Sequence, residues 1–246
     1  MRIAIFSDVH ANLEAFLAVL SDISTRGCDL RFCLGDTVGY GANPSECVAL
    51  LKANSIPSLK GNHDEAAGLD IPLGLFNPQA AAAIQWTRNA LKREERDWLL
   101  ELPYQMSLPE HRMSLYHANG FEPEGWEYVC RKTDASLMLT LREQKTPLVF
   151  IGHTHAAAAY AAKPSGKPQD IVGNGFRLQD GTRYVINVGS IGQPRDKDPK
   201  ACYVIYDTAA KTINFIRLDY PIARAQDKII AAKLPERLAK RLSTGT

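Results

Sequence analysis

Over roughly the first sixty residues the apolar pattern spells strand, helix, strand, helix, strand. Arg2–Ser7 is a short apolar run of strand length. In Asn12–Arg26 the residues Leu13, Phe16, Leu17, Leu20 and Ile23 recur at helical spacing, and Gly27 supplies a stop. Leu30–Leu34 reads as a second strand, Pro44–Asn54 as a second helix and Ile56–Lys60 as a third strand. Parallel strands need a crossover about a helix long, so this order predicts parallel pairing within an α/β layer structure.

Beyond that unit the composition turns helical over Pro78–Leu102, rich in Ala, Leu, Glu and Arg. Strands are expected at Met113–Tyr116, Leu148–Ile151, Tyr184–Val188, Ala201–Tyr206 and Thr212–Leu218, with a helix over Asp134–Glu143. Lys163–Gly181, crowded with Gly, Pro, Lys and Asp, reads as a loop or hairpin excursion. The ending Ile222–Leu242 sets Lys228, Lys233, Arg237, Lys240 and Arg241 against Ile229, Ile230, Leu234, Leu238 and Leu242, with a break at Pro235. It reads as a peripheral helical segment packed on its own domain. No linker divides the chain, so one domain over residues 1–246 is expected, with a helical insert at about 65–110 and a helical tail at about 222–246.

The histidines are not scattered. Five of the six follow or end expected strands. They are His10 in Asp8-Val9-His10, His63 in Gly61-Asn62-His63-Asp64, His117 after Met113–Tyr116, and His153 and His155 in Gly152-His153-Thr154-His155. Asp36 follows Gly35 after Leu30–Leu34. Ligands of an open α/β sheet bind at the carboxyl ends of its strands, so five segments deliver ligand-type side chains to one rim. Singly, each is better read as an ordinary core or surface histidine; their convergence is the signal. Gly35, Gly61 and Gly152 are expected to let the backbone turn sharply there.

The set is Asp, His and Asn, which suits Mn, Fe(II) or Zn in an open catalytic site. The five cysteines form no CxxC pair, which argues against structural zinc and for buried, reduced thiols in a reducing compartment. Asp8, His10, Asp36, Asn62, His117, His153 and His155 exceed the needs of one ion, and two ions sharing a carboxylate is the economical arrangement. A formal charge of +2 leaves no electrostatic footprint for nucleic acid or a membrane. No run approaches a membrane span, and a cytoplasmic protein is expected.

In order, these motifs resemble the calcineurin-like metallophosphoesterase superfamily, in particular its bacterial and archaeal branch of phosphodiesterases and diadenosine-tetraphosphatase-related proteins. Gly35-Asp36-Thr37-Val38-Gly39-Tyr40-Gly41 and the stretch from Asn187 to Asp196 strengthen the likeness, which runs from Met1 to about Asp207. The resemblance implies an α/β sandwich of two mixed sheets flanked by helices. It implies Asp8, His10 and His155 on one metal, Asn62, His117 and His153 on a second, and Asp36 bridging. His63 would face substrate, with Asp64 orienting its ring and raising its pKa. The reaction implied is hydrolysis of a phosphate ester, a phosphodiester first, by a metal-bridging hydroxide, with two divalent ions, Mn²⁺ ahead of Fe, Zn or Ni. A departure follows His117: Ala118-Asn119-Gly120 stands where the branch often has a small residue, Ser or Thr, then Pro.

The expected partner is a small phosphate ester or nucleotide. Dinucleoside polyphosphate hydrolysis and protein serine/threonine phosphatase action would use the same site, and a non-catalytic metal-binding scaffold would differ by losing a ligand or His63. Arg195 is a candidate phosphate contact, evenly weighed against a salt bridge to Asp196 or Asp198. Tyr40 and Asn12 are candidates to line the pocket.

Overall fold

The computed structural model describes residues 1–140, 146–164 and 166–246. In chain order the elements are β1 (Arg2–Phe6), α1 (Leu13–Thr25), β2 (Leu30–Cys33), α2 (Pro44–Ala53), α3 (Asn62–Gly68), α4 (Pro78–Ala90) and α5 (Arg93–Glu101). Then come β3 (Gln105–Leu108), β4 (Met113–Tyr116), α6 (Lys132–Thr140), β5 (Leu148–Ile151), β6 (Ala158–Ala162), β7 (Gln169–Ile171), β8 (Gly175–Arg177) and β9 (Arg183–Asn187). The chain closes with β10 (Ala201–Asp207), β11 (Thr212–Leu218), α7 (Ile222–Ala231) and α8 (Glu236–Lys240).

The strands form two mixed sheets, β2-β1-β10-β11-β8 and β3-β4-β5-β9-β6-β7. β1 and β2 run parallel, as do β4, β5 and β9; the remaining pairs are antiparallel. Strand alternation builds the layers. Ile3 and Ile5 of β1 face Leu115, Phe150 and Ile186 of the other sheet in a core between the sheets. Ala4 and Phe6 point the other way, onto Ala15, Phe16, Val19 and Ile23 of α1. On the far face Val149, Ile151 and Val185 pack against Ala135, Met138 and Leu139 of α6. Both sheets are thus covered on both sides, which is why β1 reads as a continuous apolar run.

Some expectations change in detail. Ile56–Lys60 is a single parallel bridge, Cys33 to Ser58, because Pro57 has no N–H to continue a ladder. The region from Pro78 to Leu102 is two helices, separated by extended backbone at Leu91 and Lys92. The short β3, β7 and β8 and the alanine-rich β6 lack the β-branched pattern that announces a strand. β7 returns on β6 as a hairpin, whereas β8 joins the opposite sheet. The helix expected over Asp134–Glu143 is present as α6; residues 141–143 of that span lie outside the described residues. The tail breaks at Pro235 and packs Ile229, Leu234, Leu238 and Leu242 into the α1 layer.

Candidate metal centre

The loops leaving the carboxyl ends of β1, β2, β4, β5 and β9, all parallel within their sheets, are stitched together by backbone hydrogen bonds. Asp8 N–H donates to Gly35 O (3.0 Å) and His10 N–H to Asp36 O (2.9 Å). Gly152 N–H donates to His117 O and Gly192 N–H to Asp8 O, both at 2.8 Å. The rim expected on one sheet is therefore shared by two, and the ligands meet where the sheets abut.

The local backbone departs from expectation as well. Asp8, His10, Asp36, His153 and His155 themselves sit at positive φ, between 48° and 67°. Non-glycine residues rarely adopt this conformation, and it clusters at functional sites. Of the three glycines expected to make sharp turns, only Gly35 has positive φ (109°). The others are there for space. A Cβ on Gly61 would lie 2.1 Å from Asp36 Oδ1, and one on Gly152 would lie 2.1 Å from Ser7 Oγ and 2.6 Å from Asp8 Oδ2.

Each ligand histidine donates from one ring nitrogen to a backbone carbonyl. His10 Nδ1 binds Val38 O (3.0 Å), His155 Nδ1 binds Gln193 O (2.6 Å), His117 Nδ1 binds Leu34 O (3.0 Å) and His153 Nε2 binds Trp126 O (2.9 Å). A carbonyl only accepts, so in the neutral ring the other nitrogen carries a lone pair. Those second nitrogens face one another: His10 Nε2 to His155 Nε2 at 3.0 Å, and His117 Nε2 to His153 Nδ1 at 3.2 Å. Two facing lone pairs repel, and a cation between them, a metal ion or in the His117 pair a proton, removes the repulsion.

The carboxylates complete the pattern. Asp8 Oδ2 accepts from His153 N–H (3.0 Å), leaving Oδ1 buried without a hydrogen bond and 3.3 Å from His155 Nε2. Asp36 Oδ1 accepts from His63 N–H (2.9 Å), while Oδ2 lies 3.5 Å from both His10 Nε2 and His117 Nε2. Asp36 thus belongs to both groups able to hold an ion, Asp8–His10–Asp36–His155 and Asp36–His117–His153. Asn62, the first residue of α3, leaves its Oδ1 buried and unpartnered. The cluster fits two divalent cations.

Electrostatics agree with that donor set. Burial pushes the His153 pKa down to about 4, and burial and then Arg195 hold His155 well below its ordinary value, so both are neutral at pH 7. Burial opposes charge on Asp36, yet His117, His63 and His10 hold its carboxyl well below the usual range. Burial likewise opposes charge on His117, but Asp36 lifts it to about 9. In the ion-free protein a proton on His117 takes the place of a cation beside Asp36.

His63 is buried, its Nδ1 has no hydrogen-bond partner, and its ring lies 4.9 Å from His10 and 4.4 Å from Tyr40. Asp64 does not orient it. The Asp64 carboxylate accepts from Gly61 N–H and Val38 N–H, both at 3.1 Å, and makes no hydrogen bond to the imidazole among the described residues. Nor is His63 raised: burial pulls its pKa well below 6.5 and Asp36 only partly offsets this. The carboxylate is spent on fixing the turn into α3.

Arg195 forms no ion pair with Asp196 or Asp198, since Arg217 takes both. It binds Gln193 Oε1 and lies 5.5 Å from the Tyr40 ring. Asn12 caps α1 and donates to Gly192 O (2.9 Å), so its amide builds the scaffold. Sequence reasoning missed Trp126 and Tyr128. The departure after His117 brings them in: Asn119 Oδ1 accepts from Phe121 and Glu122 N–H (3.1 and 2.7 Å), folding the loop so that Tyr128 stacks on His153 at 4.1 Å. Asn followed by Gly was the available signal for that turn.

Residues 1–211 match the model of the calcineurin-like phosphoesterase superfamily domain. The chain belongs to this superfamily. It is 39% identical over 245 residues to an uncharacterized protein of Methanocaldococcus jannaschii, covering 99% of this chain and 98% of the relative. A metallophosphoesterase from Sphaerobacter thermophilus is 38% identical, with a TM-score of 0.83 over 100% of this chain and 99% of that one. A hypothetical protein from Pyrococcus horikoshii shares the fold at 18% identity, with a TM-score of 0.80 over 100% and 98% of the two chains. As a member of a dinuclear metal-dependent family, with two His/Asp groups able to hold ions, this calcineurin-like protein is a metal-dependent phosphoesterase.

Proposed function

We propose that the protein hydrolyses phosphodiesters, with Asp8, His10 and His155 on one Mn²⁺, Asn62, His117 and His153 on another, and Asp36 shared. One observation carries the reading: a single buried carboxylate oxygen, Asp36 Oδ2, stands 3.5 Å from a histidine of each group. When bound, a pair of divalent ions supplies Lewis-acid activation of water and charge neutralisation at phosphorus.

The remaining work falls to the chain. Backbone carbonyls of Leu34, Val38, Trp126 and Gln193 hold the imidazoles in one tautomer, which keeps their ligand nitrogens aimed at the centre. The His63 ring packs its Nδ1 against Gly39 and lies 4.9 Å from His10, so Nε2 is the nitrogen left to hydrogen-bond a phosphoryl or leaving-group oxygen. An anionic substrate beside it raises its pKa against the burial that lowers it, and so favours proton donation to the leaving alkoxide. A diester brings one negative charge, whereas a monoester dianion would be held more tightly by a pair of divalent cations and would be slower to leave. Five free cysteines support a reducing, cytoplasmic setting; among the described residues no helix is long and apolar enough to cross a membrane.

The test is a turnover panel in Mn²⁺ with bis(p-nitrophenyl) phosphate, p-nitrophenyl phosphate and a dinucleoside tetraphosphate. Diester turnover above monoester turnover is expected. Faster monoester turnover overturns the ranking, and no turnover of any of the three overturns the assignment.

A further inference from the structure

Beside the ligand cluster opens a cavity of about 320 Å³, bounded by Tyr40, Gln79, Arg195 and three residues of the tail, Arg237, Leu238 and Arg241. Three guanidinium groups line it; among the described residues none pairs with an Asp or Glu, and Arg241 Nε donates to the main-chain oxygen of Thr246. Arg195 and Arg241 converge on one neutral acceptor: Gln193 Oε1 lies 2.9 Å from Arg195 Nη2 and 2.8 Å from Arg241 Nη1. Arg237 is exposed, and its side chain makes no hydrogen bond or ion pair among the described residues. The nearby acids are committed elsewhere, Asp196 and Asp198 to Arg217 and Glu236 to Lys240.

Like charges gathered on a buried amide oxygen gain little for the fold. Two guanidinium groups sharing one acceptor repel, and burial followed by Arg195 pushes the Arg241 pKa down to about 10. An anion in the cavity turns that repulsion into attraction, and planar guanidinium forks match phosphate oxygens. The fold holds the arginines there deliberately: Leu234, Leu238 and Leu242 anchor the tail in the α1 layer, and Arg195 N–H donates to His155 O at 2.9 Å. Tyr40 joins the cavity to the cluster. Its ring is 4.6 Å from His10, and the Arg195 guanidinium lies 5.5 Å from the same ring.

We propose that Arg195, Arg237 and Arg241 form an anion subsite for a phosphate linked to the one that reacts at the cluster, making polyphosphate-bridged esters the favoured substrate class. This rests on the hydrolase reading above and extends it. The tail then does more than cover α1, because it completes the substrate site.

Direct binding tests the subsite without turnover. The full chain, stripped of metal with chelator and dialysed, is titrated calorimetrically with inorganic tripolyphosphate at low and high salt. One equivalent is expected to bind, more weakly as salt rises. Arg237→Gln, which removes an exposed and unpartnered side chain, should weaken binding about tenfold, the scale of one charge-assisted hydrogen bond. Arg241→Lys, which keeps the charge and the tail's fold, should lose less than Arg241→Gln. In Mn²⁺, Arg237→Gln should lower kcat/KM for a dinucleoside tetraphosphate about tenfold more than for bis(p-nitrophenyl) phosphate. Unchanged tripolyphosphate affinity in Arg237→Gln, or no binding by the wild type, overturns the subsite. Binding that responds as stated, in a protein that hydrolyses no ester, supports the subsite and removes the hydrolase reading instead.

Discussion

Gly61→Ala puts one methyl group into the most crowded part of the centre. Gly61 has φ −100° and ψ 171°, extended backbone that alanine adopts freely, so the perturbation is purely steric. The added Cβ would stand 2.1 Å from Asp36 Oδ1 and 2.4 Å from Asp36 N, where ordinary contact begins at 3.4 Å. Asp36 must retreat by about 1 Å, together with the strand end that carries it. Forcing a methyl into a packed interior costs about 1–3 kcal/mol. At roughly 2–4 °C per kcal/mol for a chain of this size, Tm should fall by about 2–12 °C. Because Asp36 Oδ2 serves both ligand groups, the same shift should weaken both ions. A misplacement of about 1 Å can cost on the order of 10²-fold in turnover. Gly74→Ala is the control: a Cβ there meets nothing within 4 Å. The assays are thermal melts with and without Mn²⁺, elemental analysis after reconstitution, and diester turnover. A Gly61→Ala protein that matches Gly74→Ala in all three would refute the crowding argument and the shared role of Asp36 with it.

Elemental analysis of protein reconstituted in excess Mn²⁺ should find about two ions per chain; Asp36→Asn should weaken both sites more than Asn62→Ala does, and full activity with one ion sinks the dinuclear reading. His63→Ala should keep both ions and lose turnover by a factor on the order of 10²–10⁴, less for a leaving group of low pKa; metal lost along with activity makes His63 a ligand. The ion-free protein should lose stability between pH 6.5 and about 9. Asp36 lifts His117 to about 9 against its burial, so the folded state keeps a proton that the unfolded chain sheds near 6.5. That contribution is complete below pH 6.5 and gone above 9, and Mn²⁺, which displaces the proton, should abolish the slope. His63, His153 and His155, all lowered, act only on the acid side of this window. A flat ion-free melt profile across the window contradicts the His117–Asp36 pairing.

Much of the centre was legible in the chain because its signals are local. A strand is recognised from a short apolar run, and the residue just past its end faces the crevice whatever the strand pairs with. Asp8, His10, Asp36, His117, His153 and His155 could therefore be named, and the structure brings them together. The break at Pro235 and the parallel start β1-α1-β2 were equally local. What the sequence left open depends on partners remote in the chain. That two sheets share the rim, and that Gly61 and Gly152 provide space for Asp36 and Asp8, follows from how the layers pack. Asp64 lies next to His63 in sequence, and the family resemblance implied that it orients the His63 ring. In the fold its carboxylate meets the N–H groups of Gly61 and Val38 first, and buried N–H groups must be satisfied. Asp196 is next to Arg195 in the chain but pairs with Arg217 across the sheet, which leaves Arg195 to Gln193 and the arginines of the tail. Neighbours in sequence compete with neighbours in space for each hydrogen bond and charge, and only the packed chain decides which wins.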